Sequence, residues 1–258
     1  MTRIRAALLD IDGTLTDGVA GPALPGAVDA VRRLREQAFV RCVTNTTSRP
    51  RAFLAAALRR EGFDFEEREI VTPTALARTV LEARGEAEGV LVADGEPPED
   101  LAWYRATEPG RARSVLVAGE CHDRTVRELF PALDALLAGA RLYTLQQNRV
   151  FRRAGRLVTD LGPVAALLGY AANVGWENLG KPSPLLFRTL ADELGCAVDE
   201  LAMVGDDAEF DVAGAIEAGV GVGVLVRTGK YRPRDEDRAH LRPHAVIASI
   251  ADLVLPTV

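Results

Sequence analysis

Lysine is almost missing from this sequence: Lys181 and Lys230 stand alone among 31 basic residues, the rest being arginine. A lysine in such a chain hints that a compact ammonium is wanted at its position. Basic runs are missing too, and the formal charge is −6. No nucleic-acid partner is therefore expected, because such partners call for a basic patch or stripe. Cysteine is scarce, with Cys42, Cys121 and Cys196 far apart and no CxxC. That argues against a disulfide framework or a cysteine zinc site and fits a reducing compartment. His122, His240 and His244 show no metal-ligand spacing along the chain. No apolar run is long enough to span a membrane, and Ala6 to Leu9 is too short for a secretory apolar segment. A cytoplasmic protein with no membrane partner is the expectation.

What is present is an alternation of apolar strands and amphipathic helices. Ile4 to Leu9, Phe39 to Val43 and Glu69 to Thr72 read as strands. Helices opening after Pro25 and at Arg51 separate them. The pattern restarts with helices at 74–84, 123–138 and 163–172, strands at 89–93, 114–118 and 141–144, and a hairpin turning at Ala154-Gly155. It resumes with a helix over 183–194, a strand over 201–204, a helix over 210–218, a strand over 220–226, and a last strand and helix in 245–255. Alternation of this kind predicts an α/β protein with a doubly wound parallel sheet. The restart predicts an inserted smaller α/β domain over 74–175, leaving 1–73 plus 176–258 as the core.

Four segments place reactive groups at strand ends. In LLDIDGTLTDG, residues 8–18, Asp10 and Asp12 follow an apolar strand, and side-chain alternation aims them alike. Two carboxylates there can hold a divalent cation and divide nucleophilic and acid-base work. In VTNTTSRP, residues 43–50, Thr44 and Asn45 offer donors at a helix entrance, where anions bind. Lys181 in GKPSP can neutralise a phosphoryl oxygen. In MVGDDAEFD, residues 203–211, Asp206 is placed to ligate the same cation. Asp207 and Asp211 can orient Lys181 or hold metal-bound water, while Asp211 can equally serve as a helix cap. Taken singly, most of these read as caps, turns or surface charge; together they converge on one anion and cation pocket.

These four motifs, in this order, resemble the haloacid dehalogenase superfamily of phosphohydrolases over nearly the whole chain. The insertion is similar to the type-two α/β cap of its subfamily IIA. TNTT, GKPSP, VGDDAEFDVAGA and VRTGKYRP are similar to the branch holding the phospholysine, phosphohistidine and inorganic pyrophosphate phosphatase. The resemblance implies Mg²⁺ held by Asp10, the Asp12 backbone carbonyl and Asp206. It implies Asp10 as nucleophile, Asp12 as acid and base, and Thr44, Asn45 and Lys181 on the phosphoryl oxygens. The implied substrate is a small phosphorylated metabolite: a phosphomonoester, a phosphoamide or pyrophosphate. Caps of this kind often pair, so the resemblance leaves room for a homodimer through the cap. The loop Leu145-Gln146-Gln147-Asn148-Arg149 is expected either to read the leaving group or to be an exposed turn. Lys230 matches a branch feature without a chemical role. The same Asp, Thr, Lys and Mg²⁺ would also serve a phosphotransferase, a mutase or a phospho-receiver without turnover. Asp12, two residues after the nucleophile, argues for turnover.

Overall fold

The computed structural model describes residues 3–97, 99–153 and 156–255, which divide into two compact units. The first comprises the chain up to Thr44, Arg51–Val71, and the chain from Lys181 on. The second comprises Asn45–Pro50 and Thr72–Gly180. The sequence reading divided the chain at 74 and 175; the contacts divide it at 72 and 180 and give the second unit the short Asn45–Pro50 segment as well.

The first unit is built on a six-stranded parallel sheet. Its spatial order is Ala245–Ile247, Val222–Val226, Leu201–Gly205, Ala6–Leu9, Phe39–Val43, Ile70–Val71. The chain starts at the centre, winds outward to one edge, and later returns to wind outward to the other. That is the expected doubly wound topology, and it puts the point where strand order reverses between Ala6–Leu9 and Leu201–Gly205. Ligands of open α/β sheets bind in the crevice beyond the carboxyl ends at that point. All four residues of Ala6–Leu9 are buried, as a parallel strand covered on both faces requires. Leu9, Ile11, Leu34, Leu54, Phe65, Ile70, Val204 and Val226 form its apolar core. Helix Ala27–Arg35 contributes Ala27, Ala30, Val31 and Leu34 to it, at helical spacing.

Register decides what the sheet delivers. Leu9 lies beside both Val204 and Cys42. The residues just after these strands, Asp10, Asp206 and Thr44, therefore emerge at nearly one level.

The second unit has its own parallel sheet, ordered Trp176–Asn178, Arg141–Thr144, Ser114–Val117, Glu88–Val92, Arg105–Ala106. It also carries the antiparallel pair Val150–Arg153 and Arg156–Thr159; the expected Ala154-Gly155 turn lies outside the described residues. Two short edge strands, Arg105–Ala106 and Trp176–Asn178, have no apolar signature and escaped the sequence reading. The helix expected over 123–138 is shorter. Thr125 and Glu128 form a capping box on a 3₁₀ turn, Val126–Leu129, and the α-helix is Phe130–Leu137. Pro131 explains the late start, since it has no N–H to give the preceding turn. No described helix is long and apolar enough to cross a membrane.

Candidate active site

Asp10 leaves the central strand buried, 6% exposed, its amide donating to the Val204 carbonyl at 2.9 Å. Lys181 Nζ donates to Asp10 Oδ1 at 2.5 Å, and Thr14 Oγ1 lies 3.5 Å from Asp10 Oδ2. Lys181 is itself buried and makes a second ion pair, 2.7 Å to Asp211 Oδ1. One carboxylate oxygen from each of Asp10, Asp206 and Asp211 lies within 4.8 Å of the others. Three buried carboxylates thus face one buried ammonium.

Such crowding is costly and its effects are directional. Burial, helped by the charges of Asp211 and Asp206, pushes the Asp10 carboxyl well above the usual carboxylate range, against the pull of Lys181. Burial and the Asp211 charge push Asp206 up to about 7. Burial alone would depress Lys181; Asp10 and Asp211 outweigh it and hold the ammonium above its ordinary value.

Asp206 supplies the observation that tests for a metal. Its Oδ2 accepts from the Lys230 amide at 2.6 Å, while its Oδ1 is buried without a hydrogen-bond partner. An orphaned anionic oxygen facing two further carboxylates is a poor arrangement for a bare protein and a good one for a hard divalent cation with oxygen ligands. The residues present therefore fit magnesium. Asp12 is half-buried and is not one of the three carboxylates that meet; Asp211 is.

Two glycines close around Asp206. Gly13 and Gly229 both have positive φ, +86° and +61°. A Cβ on Gly229 would strike Asp206 Oδ2 and lie 2.5 Å from the Gly13 Cα. The contact is tied by Thr228 Oγ1, which donates to the Gly13 carbonyl at 2.5 Å. Gly229→Ala should therefore displace Asp206 and lower kcat/KM on the order of tens of fold, since small misplacements of a positioned group are expensive. Gly85→Ala is the control: it has a similar φ of +68° but open space around it. Equal activities in both variants would deny the clamp.

The remaining sequence candidates fall as follows. Thr44 is buried at the end of Phe39–Val43, its amide donating to the Val71 carbonyl at 3.1 Å. Asn45 belongs to the second unit, where it packs against Gly180. Asp207, not Asp211, caps the following helical segment: its Oδ1 accepts from the Glu209 and Phe210 amides at 3.1 and 3.0 Å. Asp211 serves both Asp207 and Lys181: in the wide π-helical turn Ala208–Ala213, a form common at functional sites, its Oδ2 accepts from the Asp207 amide at 3.1 Å while its Oδ1 pairs with Lys181. Lys230 contributes its backbone amide to Asp206 and a distant ion pair, 3.7 Å, to Asp207. Gln146 differs from expectation. It is buried, its Nε2 donates to Asp160, and its Oε1 accepts from the Asn148 amide at 2.5 Å. Both ends of its amide hold the loop together, so Gln146 is not available to read a leaving group. Sequence reasoning missed the Thr228-Gly229 clamp and Thr14. A glycine inside the VRTGKYRP stretch was the available signal for the first, and the threonine of DGT for the second.

Comparisons with known proteins agree with this geometry. The family model of haloacid dehalogenase-like hydrolases matches residues 7–125, and a second, HAD-hydrolase-like model matches residues 178–253. The chain is 34% identical over 256 residues to a phospholysine phosphohistidine inorganic pyrophosphate phosphatase of Bos taurus, covering 97% of this chain and 93% of that one. It is 33% identical over 252 residues to a human haloacid dehalogenase-like hydrolase domain-containing protein 2, covering 97% and 95%. Among solved structures, a p-nitrophenyl phosphatase from Archaeoglobus fulgidus superposes with a TM-score of 0.83 at 26% identity, covering 97% of this chain and 98% of that chain.

Proposed function

The chain belongs to the haloacid dehalogenase-like hydrolases and is a phosphatase, and we propose that it acts on a small phosphorylated metabolite with Mg²⁺ held by Asp10, the Asp12 backbone carbonyl and Asp206. The observation that carries this reading is the buried meeting of Asp10, Lys181, Asp206 and Asp211 at the switch point of the sheet. A bound dication would offset the carboxylates and polarise a phosphoryl oxygen.

Asp10 has one oxygen on Lys181 and the other near Thr14, which fixes the carboxylate and leaves a lone pair for attack on phosphorus. The attack forms an aspartyl phosphate and breaks the bond to the leaving group. Asp12, half-buried and two residues on, protonates the leaving oxygen or nitrogen and then takes a proton from the water that cleaves the acyl phosphate. Lys181, kept charged by two carboxylates, stabilises the phosphoryl oxygens with Thr44. Positioning and electrostatics of this kind supply most of the catalysis in phosphoryl transfer. Pyrophosphate and phosphoamides join phosphomonoesters as candidates because the bovine relative carries those names. The test is release of free phosphate from an aryl phosphate with and without magnesium, followed by a panel of phosphoamino acids, sugar phosphates, nucleotides and pyrophosphate. Stoichiometric phosphorylation of the protein without phosphate release would favour a receiver instead.

The metal reading also has a stability signature. Unfolded, the Asp10 and Asp206 carboxyls ionise near pH 4; folded and metal-free, both are raised, Asp206 to about 7. The folded chain thus keeps protons that the unfolded chain has lost. Stability from these groups is full below about pH 4 and falls as pH rises through about 7. Magnesium competes with those protons and replaces them. The rise in unfolding midpoint on adding millimolar magnesium should therefore be larger at pH 8 than at pH 6. It should be strongly reduced in Asp206→Asn. Equal rises at the two pH values would remove Asp206 from the metal site.

A further inference from the structure

The second unit has a titratable cluster of its own, far in sequence from the motifs above and unused by the proposed chemistry. Its sheet also winds both ways: Glu88–Val92 is followed by Arg105–Ala106 on one side and by Ser114–Val117 and its successors on the other. The order reverses between Glu88–Val92 and Ser114–Val117, which lie side by side with Val92 opposite Val117. The loops leaving their carboxyl ends carry Asp94, and Glu120, His122 and Asp123. The Asp94 amide donates to the Glu120 carbonyl at 2.6 Å, which ties the two loops together. This is the same topological position that holds Asp10 and Asp206 in the first unit.

His122 is the informative residue. Its side chain is 7% exposed, and Nδ1 is buried without a hydrogen-bond partner. Nδ1 faces Asp94 Oδ2 and Glu120 Oε2, each 3.8 Å away. That is too long for a hydrogen bond. It is close to the roughly 3.4 Å that separates two ligands of a tetrahedral dication bound at about 2.0–2.1 Å. Asp123 Oδ2 lies 3.4 Å from Nε2 on the other edge of the ring. One ligating atom each from Asp94, His122 and Asp123 falls within 4.8 Å of the others.

The surroundings hold this arrangement in place. The Phe151 ring meets the imidazole edge-on, centroids 5.4 Å apart. The Asp123 amide donates to Asp94 Oδ2 at 2.9 Å, and Arg124 Nε pairs with Asp94 Oδ1 at 3.2 Å, leaving a net negative surplus around the ring. Cys121 is no rival ligand: its thiol points to the Val92 and Ala118 carbonyls, 3.3 and 3.4 Å away.

We propose that His122, through Nδ1, and Asp94 form a second cation site that takes a first-row transition metal dication of the zinc class, completed by Glu120 and by the exposed Asp123 side chain turning from the Nε2 edge toward the ion. One imidazole nitrogen among carboxylates selects such ions over magnesium, which prefers an all-oxygen shell. The site is separate from the proposed catalytic magnesium and does not depend on it.

The test uses the full chain in millimolar magnesium, with Asp206→Asn as background to weaken the core site. Equilibrium dialysis against zinc should give one tightly bound ion per chain. His122→Gln should lose that ion or weaken it at least about a hundredfold. Zinc at a hundred times its dissociation constant should raise the unfolding midpoint by about 5 °C or more, and His122→Gln should abolish the rise. Cobalt in place of zinc should give visible d–d bands that the same variant removes. Asp123→Asn alters a residue whose side chain is 79% exposed and spares the fold. It should weaken zinc measurably even if His122→Gln is unstable. Zinc binding unchanged in both variants, or no zinc bound in the Asp206→Asn protein, would overturn the proposal.

Discussion

Asp10→Asn should lower kcat for an aryl phosphate by at least about a thousandfold, with the fold intact. The amide matches the carboxylate in shape, so the space at the end of Ala6–Leu9 stays filled. Lys181 keeps its 2.7 Å pair with Asp211, so no buried ammonium is stranded. Removing one of three crowded carboxylates also relieves repulsion, and the metal-free variant should unfold no earlier than the parent. Lost activity therefore reports lost nucleophilicity. Steady-state rates, with circular dichroism as the check on folding, make the measurement. A rate within tenfold of the parent would remove Asp10 as the attacking group and favour direct attack by water.

How much of this was legible beforehand depended on the range of the interaction. Asp10 and Asp206 announced themselves because each follows an apolar strand and sits beside a glycine, and Lys181 because it is one of two lysines and lies between a glycine and a proline before a helix, all of which are local signals. The topology followed from strand-helix alternation for the same reason. Asp211 was read with its role open, because whether it caps a helix or reaches Lys181 depends on the path of the π-helical turn Ala208–Ala213, and no residue pattern there marks that path. The Gly13–Gly229 contact joins positions over two hundred residues apart, and only the assembled sheet brings them together. Gln146 lay in a loop read either as facing a leaving group or as an exposed turn; its partner Asp160 is an N-cap fourteen residues on, and nothing local pairs them. His122 likewise shows no ligand spacing along the chain, since Asp94 reaches it from another strand end.

Lys181→Met tests the other half of the site, because it removes the one ammonium that Asp10 and Asp211 share. Two buried carboxylates then face each other without a cation between them. Breaking a buried pair in this way costs on the order of 3–5 kcal/mol, a large part of the stability of an ordinary domain. The metal-free variant should therefore melt well below the parent at pH 8, and less far below it at pH 6, where a proton can take the place of the ammonium. With magnesium present the variant should recover enough to be assayed, and kcat should fall about a hundredfold to a thousandfold as a donor to the phosphoryl oxygens is lost. The pH profile separates this from a general loss of order. Lys181 is the strongest influence holding the Asp10 carboxyl down against burial. Without it Asp10 keeps its proton to higher pH, so the acid limb of the kcat/KM profile should move upward. An acid limb that stays in place while kcat falls would mean that Lys181 touches the substrate but does not set the ionisation of Asp10.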